Sequence, residues 1–194
     1  EAIGFDLPES VKGDRRVVVL TPDTGATKRT KRFQETLRWV LQERFQRNIN
    51  IGFAHGDKVR LNDTNTEITT IIEDPSFPIV NSLVVSPDDI LATGSTYKGI
   101  EEAVRSRGGE FFAACVTHLI GTGRVEDNLE KVPRIYATRT VDPWRIGRTS
   151  VIDKVQFVDV SSIFAKALKE THLNGSINSL LTSLDEGSGS TGDF

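Results

Sequence analysis

The chain has 194 residues, enough for one well-filled core with short excursions. A hydrophobic fraction of 37%, a charged fraction of 26% and a net charge of −3 suit a globular protein and exclude a general basic footprint for nucleic acid or anionic membrane. The one cysteine, Cys115, excludes an internal disulfide; its apolar run Phe111–Val116 predicts a buried, inert thiol and a reducing, cytoplasmic setting. No segment has the length and apolarity of a membrane span, and the first residues lack a charged-then-apolar signal pattern.

Residues 1–14 are polar without a clear period and read as an N-terminal extension or linker. Arg16-Val17-Val18-Val19-Leu20 has the pattern of a short buried strand, ending in the turn-rich Thr21-Pro22-Asp23-Thr24-Gly25-Ala26-Thr27. Phe33, Leu37, Val40, Leu41 and Phe45 recur at helical spacing and predict a helix over 28–47. A strand is expected over 49–54, a polar loop over 55–65, and a strand with a partly exposed face over 66–72. Leu83-Val84-Val85 begins another strand, and a helix is expected from near Tyr97 to Ser106, closed by Gly108-Gly109. Further strands are predicted over 111–117, 134–138 and 155–160, with a short helix over 125–129 and a last helix over 161–171. The Gly/Ser-rich residues near the C-terminus, 184–194, read as a flexible tail. Strands and helices alternate and several strands are apolar throughout. That predicts an α/β fold with a mostly parallel central sheet flanked by helices, whose ligands bind beyond the carboxyl ends of the strands.

The most telling segment follows Val85. Two adjacent acids, Asp88 and Asp89, precede the small-residue stretch Ala92-Thr93-Gly94-Ser95-Thr96, and a helix follows. Adjacent acids after a strand are commonly just a solvated turn or a helix cap. Here Thr93, Ser95 and Thr96 add hydroxyl donors, Gly94 lets backbone approach an anion, and the helix N-terminus favours negative charge. The combination points to a sugar phosphate, with acids for its hydroxyls or for a metal and the loop for its phosphate.

This string resembles the phosphoribosyl pyrophosphate loop of type I phosphoribosyltransferases, Asp-Asp-x-x-(Asp/Ala)-Thr-Gly-Gly-Thr. Ala92 stands where many members carry a third acid, and Ser95 replaces a glycine. Thr21–Arg29 is similar to the Ser-Pro-Asp-x-Gly-Gly-x-Lys-Arg motif of ribose-phosphate pyrophosphokinases, and Val116–Gly123 to their Thr-His-Gly-x-Phe-Ser-Gly segment. Val155–His172 and Asn174–Leu181 match the run into their C-terminal helix, that helix, and their closing motif. The resemblance runs from Arg16 to Leu181 in the family's order, so residues 15–183 read as a phosphoribosyltransferase-like domain, the C-terminal half of a synthetase.

The resemblance implies that Asp88 and Asp89 grip the ribose hydroxyls, directly or through Mg²⁺, while Thr93, Gly94, Ser95 and Thr96 wrap the 5-phosphate of ribose 5-phosphate. It implies Asp23 as a Mg²⁺ ligand or its outer partner, and ATP as the pyrophosphoryl donor. Lys58 and Arg60, from a Lys-x-Arg two residues later than the family spacing, are the candidates for stabilising the transferring phosphates. Lys28 and Arg29 read equally well as the start of a solvated helix face, and His118 as a structural histidine. The family has two similar halves, so the expectation is a piece of a longer protein or a solitary binding domain. Self-association, or assembly with related subunits, is implied by resemblance alone. Two other functions fit the same residues: a regulatory, non-catalytic paralogue, and a free-standing phosphoribosyltransferase.

Overall fold

The computed structural model describes residues 6–7, 11, 15–43, 46, 48–62, 65–146 and 150–178; the side chains of 58–69, 144 and 145 lie outside the description. The chain divides into two compact units, 1–158 and 159–194. In the first, β1 (Arg16–Thr21) leads through a 3₁₀ turn into α1 (Thr27–Glu43), then β2 (Ile51–Asn62) and β3 (Asn65–Glu73). There follow β4 (Ser82–Leu91), α2 (Ser95–Ser106), β5 (Glu110–Leu119), α3 (Val125–Leu129), β6 (Ile135–Thr138) and β7 (Val155–Val158).

The strands form one seven-stranded sheet of order β3-β2-β1-β4-β5-β6-β7. Every neighbouring pair is parallel except β2 and β3. The chain leaves β1 through α1 to reach β2 on one side, then returns to place β4 on the other. The strand order therefore reverses between β1 and β4, and a crevice opens at their carboxyl ends. Alternation along β1 and β4 serves both faces of the sheet. Val17, Val19, Leu83 and Val85 pack with Leu37 and Leu41 of α1. Val18, Leu20 and Val84 pack on the opposite face with Tyr97, Ile100 and Val104 of α2 and Leu129 of α3. Each such fully buried side chain contributes roughly 1.5–3 kcal/mol of transfer free energy. Cys115 is buried as expected, and burial pushes its thiol up to about 12.

Two expectations need correction. Residues 55–62 are not a loop: β2 continues through them, because β3 pairs antiparallel with them from Ala54↔Glu73 to Asn62↔Asn65 and satisfies their backbone. Their polar composition hid a ribbon that, among the described residues, has only one strand neighbour past His55. Likewise, Asp88 and Asp89 lie inside β4 rather than in a loop after it. Pairing with β5 extends through Asp88↔Val116 to Leu91↔Leu119. Pro87 is tolerated there because the register with β1 ends at Val19↔Val85, so its missing N–H breaks no ladder on that side.

The second unit holds α4 (Ser161–His172). Just ahead of it, Asp159 accepts from the Ser161 backbone N–H at 2.9 Å and from its hydroxyl at 3.0 Å. Asn174, with φ of 55°, ends it, and the Gly175 N–H returns to Glu170 O at 2.8 Å. The expected tail over 184–194 and the end of the Asn174–Leu181 motif lie outside the described residues.

Candidate functional site

The crevice between β1 and β4 gathers most of the predicted residues. On the β1 side, the Thr21 hydroxyl donates to Asp23 O at 2.7 Å, and Asp23 Oδ1 accepts from the Ala26 N–H at 2.9 Å. Asp23 thus caps the turn that starts the approach to α1. On the β4 side, the Ser86 hydroxyl donates to Leu20 O at 2.9 Å, tying the two strands together where their ladder ends. Tyr97, fully buried beneath the acids, donates its hydroxyl to Ser86 O at 3.4 Å. Burial, reinforced by the negative charges of Asp88 and Asp89, raises its phenol well above the usual range, so it stays neutral.

Asp88 and Asp89 close this floor. The Asp88 side chain is 12% exposed and that of Asp89 is 52% exposed, so one acid is set into the wall and the other faces water. The Asp89 backbone N–H donates to Asp88 Oδ1 at 2.9 Å. Arg29 reaches across from α1, with Nη2 at 3.7 Å from Asp88 Oδ1 and Nη1 at 3.3 Å from Asp89 Oδ2. A side-chain hydrogen bond from Asp88, with Arg29 adding to it, holds the Asp89 carboxyl below the usual carboxylate range. Arg29 is the contact to the acid pair that sequence alone does not single out. Its signal is its place, two residues into the helix that follows the Asp23 turn, but only the strand order brings that helix start over β4.

The glycine loop follows directly. Gly94 caps α2 with φ of 80°, a left-handed conformation that suits glycine. A Cβ there would stand 2.8 Å from Leu129 Cγ and Cδ2. The helix ladder starts with Lys98 N–H donating to Gly94 O at 3.0 Å, so the amides of the first turn stand outside it. Thr93 Oγ1 lies 3.2 Å from Ser95 Oγ, which sets two hydroxyls side by side at the helix start. Carboxylates, hydroxyls and helix amides therefore converge at the carboxyl end of the central strand β4.

Lys58 and Arg60 are placed by their backbone alone. They sit in β2 at Lys58↔Ile68 and Arg60↔Thr66, and their side chains lie outside the described structure. Lys58 is three residues past His55, the last β2 residue paired with β1, which is roughly 10 Å along the ribbon. His118 takes a local role: its Nδ1 is 2.8 Å from Thr140 Oγ1, and Thr140 donates to Thr117 O at 2.9 Å. A cavity of about 290 Å³ adjoins the acids, running from Arg29 and Asp88 past Thr117 and Thr138 to Tyr136.

The fold is type I phosphoribosyltransferase-like: a mostly parallel sheet flanked by helices, with two acids and a glycine-capped helix start at the point where strand order reverses. No family model matches the chain. In sequence it is similar to ribose-phosphate pyrophosphokinases. The one from Fusobacterium nucleatum is 27% identical over 171 residues, covering 87% of this chain and 48% of that protein. The one from Caldanaerobacter subterraneus is 28% identical over 166 residues, covering 86% and 47%. A crystal structure of phosphoribosylpyrophosphate synthetase from Mycobacterium smegmatis shares the fold, with a TM-score of 0.62 at 16% identity over 90% of this chain and 50% of that one. The resemblance read from the motifs is borne out, and the chain spans about half the length of the curated relatives it matches.

Proposed function

We propose that the β1–β4 crevice binds ribose 5-phosphate or phosphoribosyl pyrophosphate, and that in the intact protein it is the acceptor side of a ribose-phosphate pyrophosphokinase. The observation that carries this reading is the order along one strand end: two acids, then a left-handed glycine, then a helix N-terminus with two hydroxyls beside it. The acids suit the ribose hydroxyls. Thr93, Gly94, Ser95 and Thr96 suit a phosphate. In the reaction, the C1 hydroxyl oxygen forms a bond to the β-phosphorus of ATP. The bond from that phosphorus to the α–β bridging oxygen breaks, AMP leaves with the electron pair, and the hydroxyl proton passes to solvent.

Among the described residues, no three His, Cys, Asp or Glu side chains are grouped to hold a metal ion. That suits Mg²⁺, which takes one or two protein carboxylates and fills its remaining positions with water and substrate oxygens. Asp88 and Asp89 would hold it, with Asp23 as outer partner, and when bound it would neutralise charge spreading over the phosphates. Arg29 already balances the acid pair and must share it. Lys58 and Arg60 would bring cations to the transferring group. The same reading places the protein in the cytoplasm, assembled with like or related subunits; no described helix is long and apolar enough to cross a membrane.

The test is isothermal titration with ribose 5-phosphate in the presence of Mg²⁺, on the wild type and on Asp88→Ala/Asp89→Ala. Saturable heat from the wild type and none from the variant is expected. Identical traces would overturn the site. Formation of AMP from ATP by the full-length protein tests the transferase reading separately.

A further inference from the structure

The segment joining β5 to α3 was singled out in sequence, yet the proposed reaction leaves it without a task. In the structure this segment and α3 take three consecutive carbonyls where β4 runs into the glycine loop. Ile120 N–H donates to Leu91 O at 2.8 Å, Thr122 N–H to Ala92 O at 2.9 Å, and Asn128 Nδ2 to Thr93 O at 2.9 Å. The first two are backbone contacts that any sequence would supply. The third depends on one side chain, 35 residues away along the chain.

A trans peptide is planar, so its N–H points opposite to its C=O. Drawing the Thr93 carbonyl toward α3 therefore turns the Gly94 N–H the other way, out of the loop. Glycine makes the alternative cheap, because it accepts either sign of φ and so permits the peptide to flip. After a flip, a carbonyl oxygen would stand where a phosphate expects a donor. Leu129 packs against the same glycine from the same helix and leaves no room for a side chain there.

We infer that Asn128 is a positioning residue for the phosphate: it selects the orientation of the Thr93–Gly94 peptide that presents an N–H, rather than a C=O, to the ligand. The inference rests on the proposed sugar-phosphate reading for its ligand, but not for its geometry. Two measurements keep the two apart. The first compares Asn128→Ala and Asn128→Asp with the wild type by isothermal titration against ribose 5-phosphate and against ribose. Loss of the charge-assisted donor should weaken ribose 5-phosphate about tenfold in Asn128→Ala. Asn128→Asp should weaken it further, because a carboxylate repels the Thr93 carbonyl. Ribose affinity should not move, which separates positioning of the phosphate from a general loss of structure. Wild-type affinity for ribose 5-phosphate in Asn128→Ala would overturn the inference. The second measurement needs no ligand: the Gly94 amide nitrogen and Thr93 carbonyl carbon resonances of the free protein. They should shift on Asn128→Ala while those of β1 stay in place; unchanged Gly94 and Thr93 resonances would overturn the inference even if the wild type binds no sugar phosphate at all.

Discussion

The carboxyl end of β4 and the outer half of the β2–β3 ribbon carry the two sets of charge that the proposed reaction needs, and they are built differently. Up to Val85, β4 is paired on both sides, and Ser86 then ties it to Leu20. Its acids rest over buried Tyr97, and the loop beyond them is fixed by backbone bonds from the β5–α3 segment and a side-chain bond from α3. Among the described residues, Lys58 and Arg60 have only β3 alongside, with a register shift between Asp57 and Lys58. The contrast separates two tasks. The proposed acceptor site is preorganised by the sheet, whereas Lys58 and Arg60 have their backbone on the β2–β3 ribbon. Binding and turnover should therefore respond to different substitutions.

The largest expected effect lies on the acceptor side: replacing both Asp88 and Asp89 by Ala should abolish measurable ribose 5-phosphate binding. Next, Lys58→Ala with Arg60→Ala should lower the rate of AMP release about a hundredfold while leaving ribose 5-phosphate affinity within a factor of two. An equal loss in both would break the comparison. Gly94→Ala combines a strained φ with a clash against Leu129 and should cost about 1–3 kcal/mol, read as a lowered urea midpoint.

The smallest effect concerns pH. The folded carboxyl of Asp89 titrates below its unfolded value, so its stabilising contribution is complete above the ordinary value of about 4 and is lost as pH falls through the folded value. Because the side chain is half exposed, the contribution is small. Arg29→Ala should move that loss to higher pH, and the ¹³C titration of the Asp89 carboxyl reads it directly.

Most of the fold was legible where burial alone decides structure. The apolar runs of β1 and β5 and the 3.6-residue period of α1 depend on local pattern, and each element forms where that pattern places it, except that α1 ends at Glu43, short of the expected 47, with Gln46 at φ of 52°. Legibility failed where pairing decides. The polar β2–β3 ribbon and the Pro87–Leu91 end of β4 are strands because a neighbour completes their backbone bonding, which no local pattern records. The site divides in the same way. Asp88, Asp89 and Thr93–Thr96 form a contiguous signature. Arg29 and Asn128 meet it only through the strand order and through a contact spanning 35 residues.

The most direct test of a preorganised acceptor site is an amide NMR titration of the wild-type protein with ribose 5-phosphate. The account predicts saturable shifts at Gly94, Ser95, Thr96 and Tyr97 and at Asp88 and Asp89, with inorganic phosphate reproducing the first group alone. Shifts confined to Cys115–Thr117 and Tyr136–Thr138, which line the neighbouring cavity, would contradict it.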